Sequence, residues 1–311
     1  MFKIIKTKII VGKINDRIVI RGKGLKNGLA SRIIIQDNPK QDGIYVKRGG
    51  VNTKVDPEIL HGNDTTTTML VEKRLSIVCI EHLLSALYGL SVRNAIIELE
   101  GGKEIPILEG DSFSFIKKIY SNLKFESMLI DTISFNKSVI VYDDEDSSRY
   151  IKLLPIQQKE LQIDATVSYE NSNIRLQKLI FDFKNKEKYI QEISHAKTSY
   201  PFLISSNSDI ELLRSQLLGI KIKGKGKNMN IYRKKNTKGS YYGDEVVRHK
   251  ILDFMGDLST TGIMFTNMKV ELYKPGHNLN IKFSRIIRAL ISHTTNKRLR
   301  YNSLGSNGRN N

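Results

Sequence analysis

In the stretch "DEVVRHKILDFMGDL", Asp244 to Leu258, one histidine and two aspartates recur four residues apart: His249, Asp253 and Asp257. The apolar residues Val246, Val247, Ile251, Leu252, Met255 and Leu258 keep helical spacing around them, and Asp244 is placed to cap the helix start. The three polar side chains therefore form a stripe along one side of a largely apolar helix. A histidine and an aspartate at i and i+4 can ligate one metal ion, as the two histidines of an HExxH helix do. Zinc accepts imidazole nitrogen and carboxylate oxygen, and a catalytic zinc site needs three protein ligands with a further position open. Taken alone, His249 and Asp253 are explained more simply as a surface pair worth a few tenths of a kcal/mol.

Two other segments shift that balance. "CIEHLLSAL" sets Glu81 and His82 side by side on an otherwise apolar helix, where buried polar groups require partners. His82 can supply a third ligand. Glu81, about 100° further round the helix, can reach the open position and take a proton from water. "KPGHNLNIKF" places His277 after Gly276, between a strand end and a helix start, where a side chain can point into a cleft.

The elements that must position these groups read as follows. Residues 3 to 60 alternate short β-rich runs with Gly, Asn and Asp turns, which predicts an antiparallel sheet. "IEHLLSALYGL" is a helix closed by Gly89, "NAIIELEGG" a strand with a turn, and "SFSFIKKIYSNL" a second helix. Near residues 124 to 136 the pattern restarts. Strands "SVIVYD", "YIKLLPI", "LQIDATVSY" and "KLIFDF" precede a helix "SDIELLRSQLLG", a basic glycine-rich loop and the helix from Asp244. Strand "KVELYK" leads to a last helix at about 278 to 292, and from Thr294 the apolar content is too low to pack, so a mobile tail is expected. The fold class is α+β. No internal sequence repeat is evident.

Composition narrows the classes. With 311 residues and 40% hydrophobic content, the chain can bury a core and form two domains. It has no run of about 18 apolar residues and no signal-peptide pattern at its start. Cys79 is the only cysteine, read as a small buried apolar residue; this removes multi-cysteine zinc sites and fits a reducing cytoplasm. The formal net charge is +18, and residues 221 to 238 hold eight Lys or Arg and no acid. Such charge suits nucleic acid, anionic headgroups or a phosphorylated substrate. Solvated lysines explain it more simply than a nucleic-acid groove, since the segment lacks interleaved aromatics for base stacking.

The ordered set "IEHLLSALYGL", "NAIIELEG…EIPILEGDSFSFI", "AKTSYPF", "DEVVRHKILDFMGDL" and "KPGHNLNIKF" resembles the UDP-3-O-acyl-N-acetylglucosamine deacetylases, zinc enzymes of the committed step of lipid A biosynthesis. The resemblance covers nearly the whole chain except the tail. It implies two similar domains, each a mainly antiparallel sheet layered on helices, with the active site between them: 1–125 carrying Glu81 and His82, and 126–293 carrying Thr198, His249, Asp253 and His277. It also implies that His82, His249 and Asp253 hold zinc, one ion per chain, a site that iron(II) could occupy as well. Glu81 becomes the general base and His277 the general acid. Asp257 holds the His277 imidazole, Thr198 helps stabilise the tetrahedral intermediate, and Lys250 contacts substrate. The implied partner is a UDP-sugar with an acyl chain. A cytoplasmic monomer is expected with no stable protein partner, while contact of the basic loop with a membrane surface stays open.

The chain departs from the family's pattern at "GLKNG", where Lys26 replaces a histidine. Other departures are "AKTS", where Lys197 and Ser199 replace arginine and phenylalanine, and "GKG" at Gly224 to Gly226. These put acyl-chain length in doubt and leave the metal ligands, base and acid intact. His61, His195 and His293 match no family function. Two other readings remain: a basic nucleic-acid-binding protein using residues 221 to 238, and a metalloprotease, which the absence of HExxH disfavours.

Overall fold

The computed structural model describes residues 2–63, 66–72, 75–168, 176–198, 220–223, 230–233 and 244–306, with side chains for all of these except 220–223, 230–233 and 294–306. In chain order the first half contains β1 (Phe2–Ile14), β2 (Ile18–Lys23), β3 (Ala30–Gln36), β4 (Ile44–Arg48) and β5 (Val51–Lys54). After these come β6 (Leu60–Gly62), β7 (Thr67–Glu72), β8 (Leu75–Val78), α1 (Glu81–Gly89), β9 (Ala95–Gly101), α2 (Phe113–Ile119) and β10 (Leu123–Phe135). The second half contains β11 (Val139–Tyr142), β12 (Tyr150–Pro155), β13 (Leu161–Val167), β14 (Gln177–Phe183) and α3 (Lys186–Glu192). It continues with β15 (Ile220–Lys223), β16 (Asn230–Arg233), α4 (Glu245–Ser259), β17 (Met268–Tyr273) and α5 (His277–Ser306).

The mixed α+β architecture rests on two five-stranded sheets of the same design. The first has the order β2-β3-β9-β4-β5 and the second β11-β12-β17-β13-β14. In each, two antiparallel hairpins are laid down first. A later strand then enters between them, antiparallel to one neighbour and parallel to the other. Parallel pairing cannot be closed by a tight turn and needs a crossover. In both halves a helix immediately precedes the entering strand: α1 before β9, and α4 before β17. α1 and α4 thus hold equivalent places. The residues on the core side of the strands are apolar at every second position, as with Ala95, Ile97 and Leu99 of β9.

The equivalent helices pack on each other, and Gly256 permits their approach. A Cβ at Gly256 would lie 2.2 Å from the carbonyl oxygen of Glu81, so only glycine fits there. All nine residues of α1 are buried. A continuous core runs from Ile18 and Ile20 of the first sheet through Leu83, Leu84 and Leu87 of α1 to Ile251, Leu252 and Met255 of α4.

Several elements differ from the sequence pattern. β1 and β10 form a long ribbon from Phe2↔Phe135 to Ile14↔Leu123. Residues 125 and 126, near which the pattern restarts, both lie in β10. The three-stranded sheet β6-β7-β8 was not anticipated, because a run of threonines has no clear apolar alternation. The basic 221–238 segment is not wholly loop: β15 and β16 pair antiparallel, and the Ile-Lys-Ile-Lys alternation at 220 to 223 is the period-two signal for it. Its side chains, and the expected helix "SDIELLRSQLLG", lie outside the described residues. The last helix runs to Ser306 instead of ending near 292. Asp244 stands at the N-cap of α4 but makes no capping bond; its carboxylate binds Arg248 one turn on. Among the described residues no helix is long and apolar enough to cross a membrane.

Candidate active site

The first turn of α1 carries Glu81 and His82. Cys79 turns the chain into it with a φ of 61°, a left-handed conformation uncommon for any residue with a Cβ. Glu81 is only 2% exposed. Its Oε2 accepts the backbone N–H of Thr67 at 3.1 Å, from β7. Burial raises its carboxyl pKa above the ordinary value, an effect opposed by His277 and His82.

From the facing side, α4 presents His249, Asp253 and Asp257, all buried. Nδ1 of His249 donates to the carbonyl of Ala196 at 3.0 Å; a carbonyl only accepts, so Nε2 is left with its lone pair. Burial pushes the His249 pKa down to about 4, outweighing the pull of Asp253, so the ring is neutral at pH 7. Oδ1 of Asp253 lies 3.3 Å from Nε2 of His249 and 3.6 Å from Nε2 of His82. It is buried and has no hydrogen-bond partner among the described residues. The Asp253 carboxyl is desolvated, but His249, Lys250 and His277 outweigh this and hold its pKa well below the ordinary range.

His82, His249 and Asp253 each offer one ligand atom, all within 4.8 Å of one another. Ligand atoms of a tetrahedral zinc with bonds of about 2.1 Å lie roughly 3.4 Å apart. The 3.3 and 3.6 Å spacings from Asp253 Oδ1 are close to this, and an anionic oxygen between two imidazole nitrogens without a partner among the described residues is what a bound cation would satisfy. The donor set fits zinc and also iron(II), which accepts imidazole and carboxylate.

His277 begins α5 and closes the site. Its Nδ1 is 2.9 Å from Oδ2 of Asp257, and its Nε2 lies 4.0 Å from Oε1 of Glu81 and 3.7 Å from Oδ2 of Asp253. Burial alone would lower its pKa, yet the surrounding carboxylates, Asp257 first, raise it to about 9. The hydroxyl of Thr67 donates to Oδ1 of Asp257 at 2.6 Å and sits 3.0 Å from Nδ1 of His277. Asn280 donates to Oδ2 of Asp257 at 2.9 Å.

Six of the eight residues singled out in the sequence thus converge: Glu81, His82, His249, Asp253, Asp257 and His277. Lys250 stands at the rim, its Nζ 3.1 Å from Oδ2 of Asp253. Thr198 is buried, and its backbone N–H donates to the carbonyl of Gly110 at 2.7 Å. Sequence reading missed Thr67, Asn280 and Ala196. Asn280 was findable, three residues after His277 on one helix face. Thr67 lies in a run of like residues, and Ala196 acts through its backbone, so neither carries a signal. His61 and His293 are exposed, and His195 stacks on Phe113 with ring centroids 3.7 Å apart.

Residues 12–289 match the family model for UDP-3-O-acyl N-acetylglycosamine deacetylase. Proteins named UDP-3-O-acyl-N-acetylglucosamine deacetylase are similar along most of the chain. One from Shewanella frigidimarina is 31% identical over 281 residues, covering 87% of this chain and 86% of that protein. One from Saccharophagus degradans is 31% identical over 278 residues, covering 86% of this chain and 87% of that protein. Another, from Colwellia psychrerythraea, is 30% identical over 272 residues, covering 83% of each.

Proposed function

Because this chain belongs to the UDP-3-O-acyl N-acetylglycosamine deacetylase family, we propose that it hydrolyses the N-acetyl group of UDP-3-O-(3-hydroxyacyl)-N-acetylglucosamine. The products are acetate and the free amine, the committed step of lipid A synthesis. The observation that carries the reading is the convergence of His82, His249 and Asp253, from equivalent helices of the two halves, beside the buried pair Glu81 and His277.

His82, His249 and Asp253 would hold one divalent cation, zinc in our reading. When bound, zinc supplies Lewis acidity and brings the pKa of water at the site to about 7. Glu81 takes the proton of the attacking water; its elevated pKa makes it a better base than an exposed carboxylate. Its bond from the Thr67 amide fixes the other carboxylate oxygen and leaves Oε1 facing His277. His277, held charged by Asp257, gives a proton to the departing amine nitrogen. Thr198 assists in stabilising the oxyanion, and Lys250 contacts substrate at the rim. Part of the +18 net charge meets the diphosphate of the UDP group. The proposal includes a division of the chain at about residue 125 into two units of shared strand order.

The test is acetate release from the UDP-sugar by purified protein. Zinc-dependent release, abolished by chelation and restored by added zinc, supports the reading; no release at any metal loading removes it.

A further inference from the structure

A second network lies outside the reacting groups and joins the two halves next to them. Residues 194 to 198 run beside residues 109 to 113. The amides of Ser112 and Phe113 donate to the carbonyl of Ser194 at 3.1 and 2.9 Å, and the amide of Thr198 donates to the carbonyl of Gly110 at 2.7 Å. Lys197, 5% exposed, sits between these backbone bonds. Its Nζ donates to Asp111 Oδ2 at 2.5 Å and to Glu109 Oε2 at 2.9 Å. Its backbone N–H donates to Oε1 of Glu245, in the first turn of α4, at 2.7 Å.

The carbonyl that receives the His249 Nδ1–H belongs to Ala196, the residue just before Lys197. Across the site, Ser112 Oγ donates to the carbonyl of His82 at 2.9 Å. The two paired strips therefore touch both histidine-bearing helices: Ala196 and Lys197 touch α4, and Ser112 touches α1. The Lys197 side chain clamps its own strip to the first half, and its amide clamps it to α4.

We propose that Lys197 is a positioning residue: its bracket to Asp111, Glu109 and Glu245 fixes the Ala196 carbonyl and so sets the tautomer and tilt of the His249 imidazole. This rests on the reading of His249 as a metal ligand. The hydrogen-bond partner of a ligating histidine typically contributes about 10- to 100-fold to metal affinity. Lys197 acts one step further out, through the backbone.

The experiment titrates Zn2+ into metal-free full-length protein against a chelating competitor, for wild type, Lys197→Met and the double variant Lys197→Met/Asp111→Asn. Lys197→Met leaves the buried Asp111 carboxylate unpaired and lowers the Tm; the added Asp111→Asn change removes that charge and restores much of it. Zinc affinity is expected to fall about 10-fold or more in both variants, with kcat reduced, KM near wild type and an altered cobalt(II) absorption spectrum. Zinc affinity unchanged in Lys197→Met, or recovering together with Tm in the double variant, overturns the proposal. Glu245→Ala removes the other half of the bracket at a position less buried than Lys197 and decides the matter if the buried variants do not fold: weaker zinc binding supports the bracket and wild-type binding overturns it. Wild-type protein that binds no zinc would instead remove the underlying functional reading.

Discussion

Nδ1 of His277 lies 2.9 Å from Oδ2 of Asp257, and both side chains are buried. A charged imidazole in this setting persists because the carboxylates around it outweigh desolvation, and its pKa rises from 6.5 to about 9. Since the folded value is raised, the stabilisation it contributes is fully present below pH 6.5 and is lost as pH rises through about 9. In metal-free protein the His277 ring should titrate near 9 by NMR, and Asp257→Asn should lower that value and draw the alkaline limb of kcat with it. An unmoved titration would remove Asp257 as the partner that holds the charge.

In the proposed reaction Glu81 acts as base beside the metal without being a ligand. Glu81→Gln is expected to lower turnover by roughly 10²- to 10⁴-fold, the usual range for a positioned acid–base group, with zinc content retained. His249→Ala should lose both. Metal analysis beside the acetate assay checks this, and equal zinc retention in the two variants contradicts the assigned roles.

Gly256 sets the distance between α1 and α4. Gly256→Ala would put a methyl group 2.2 Å from the Glu81 carbonyl, backbone that cannot swing aside. The expected cost is about 1–3 kcal/mol of stability, seen as a lower Tm, with zinc affinity reduced because the two ligand-bearing helices separate. A Tm and zinc affinity equal to wild type would refute the close-packing account.

Thr67 joins Asp257, His277 and Glu81 at one residue. Thr67→Val keeps the backbone bond to Glu81 and deletes the hydroxyl. The loss should fall on kcat by roughly tenfold, about 1.4 kcal/mol, with zinc content unchanged. If kcat holds and zinc falls, the hydroxyl serves the metal instead of the acid.

Much of the site was legible because helical periodicity is a strong constraint. His249, Asp253 and Asp257 share a face by spacing alone, and Glu81–His82 stand out on an apolar helix. Their convergence was not derivable from spacing, because it depends on α1 and α4 being equivalent helices packed through Gly256. That relation appears only when the two sheets are seen to share one strand order. The β1–β10 pairing was missed since its register is set by partners distant in sequence; the β6–β8 sheet pairs locally, but its threonine run carries no apolar alternation. Ala196 and Thr67 contribute through a carbonyl, an amide and one hydroxyl among several threonines, groups that residue type does not distinguish.

The most direct measurement is anomalous diffraction from crystals of freshly purified protein, recorded at the zinc and iron edges. One peak per chain is expected, bonded at about 2.0–2.2 Å to His82 Nε2, His249 Nε2 and an Asp253 oxygen. An anomalous peak bound elsewhere, or none in protein that still releases acetate, would contradict a cation held between the two halves.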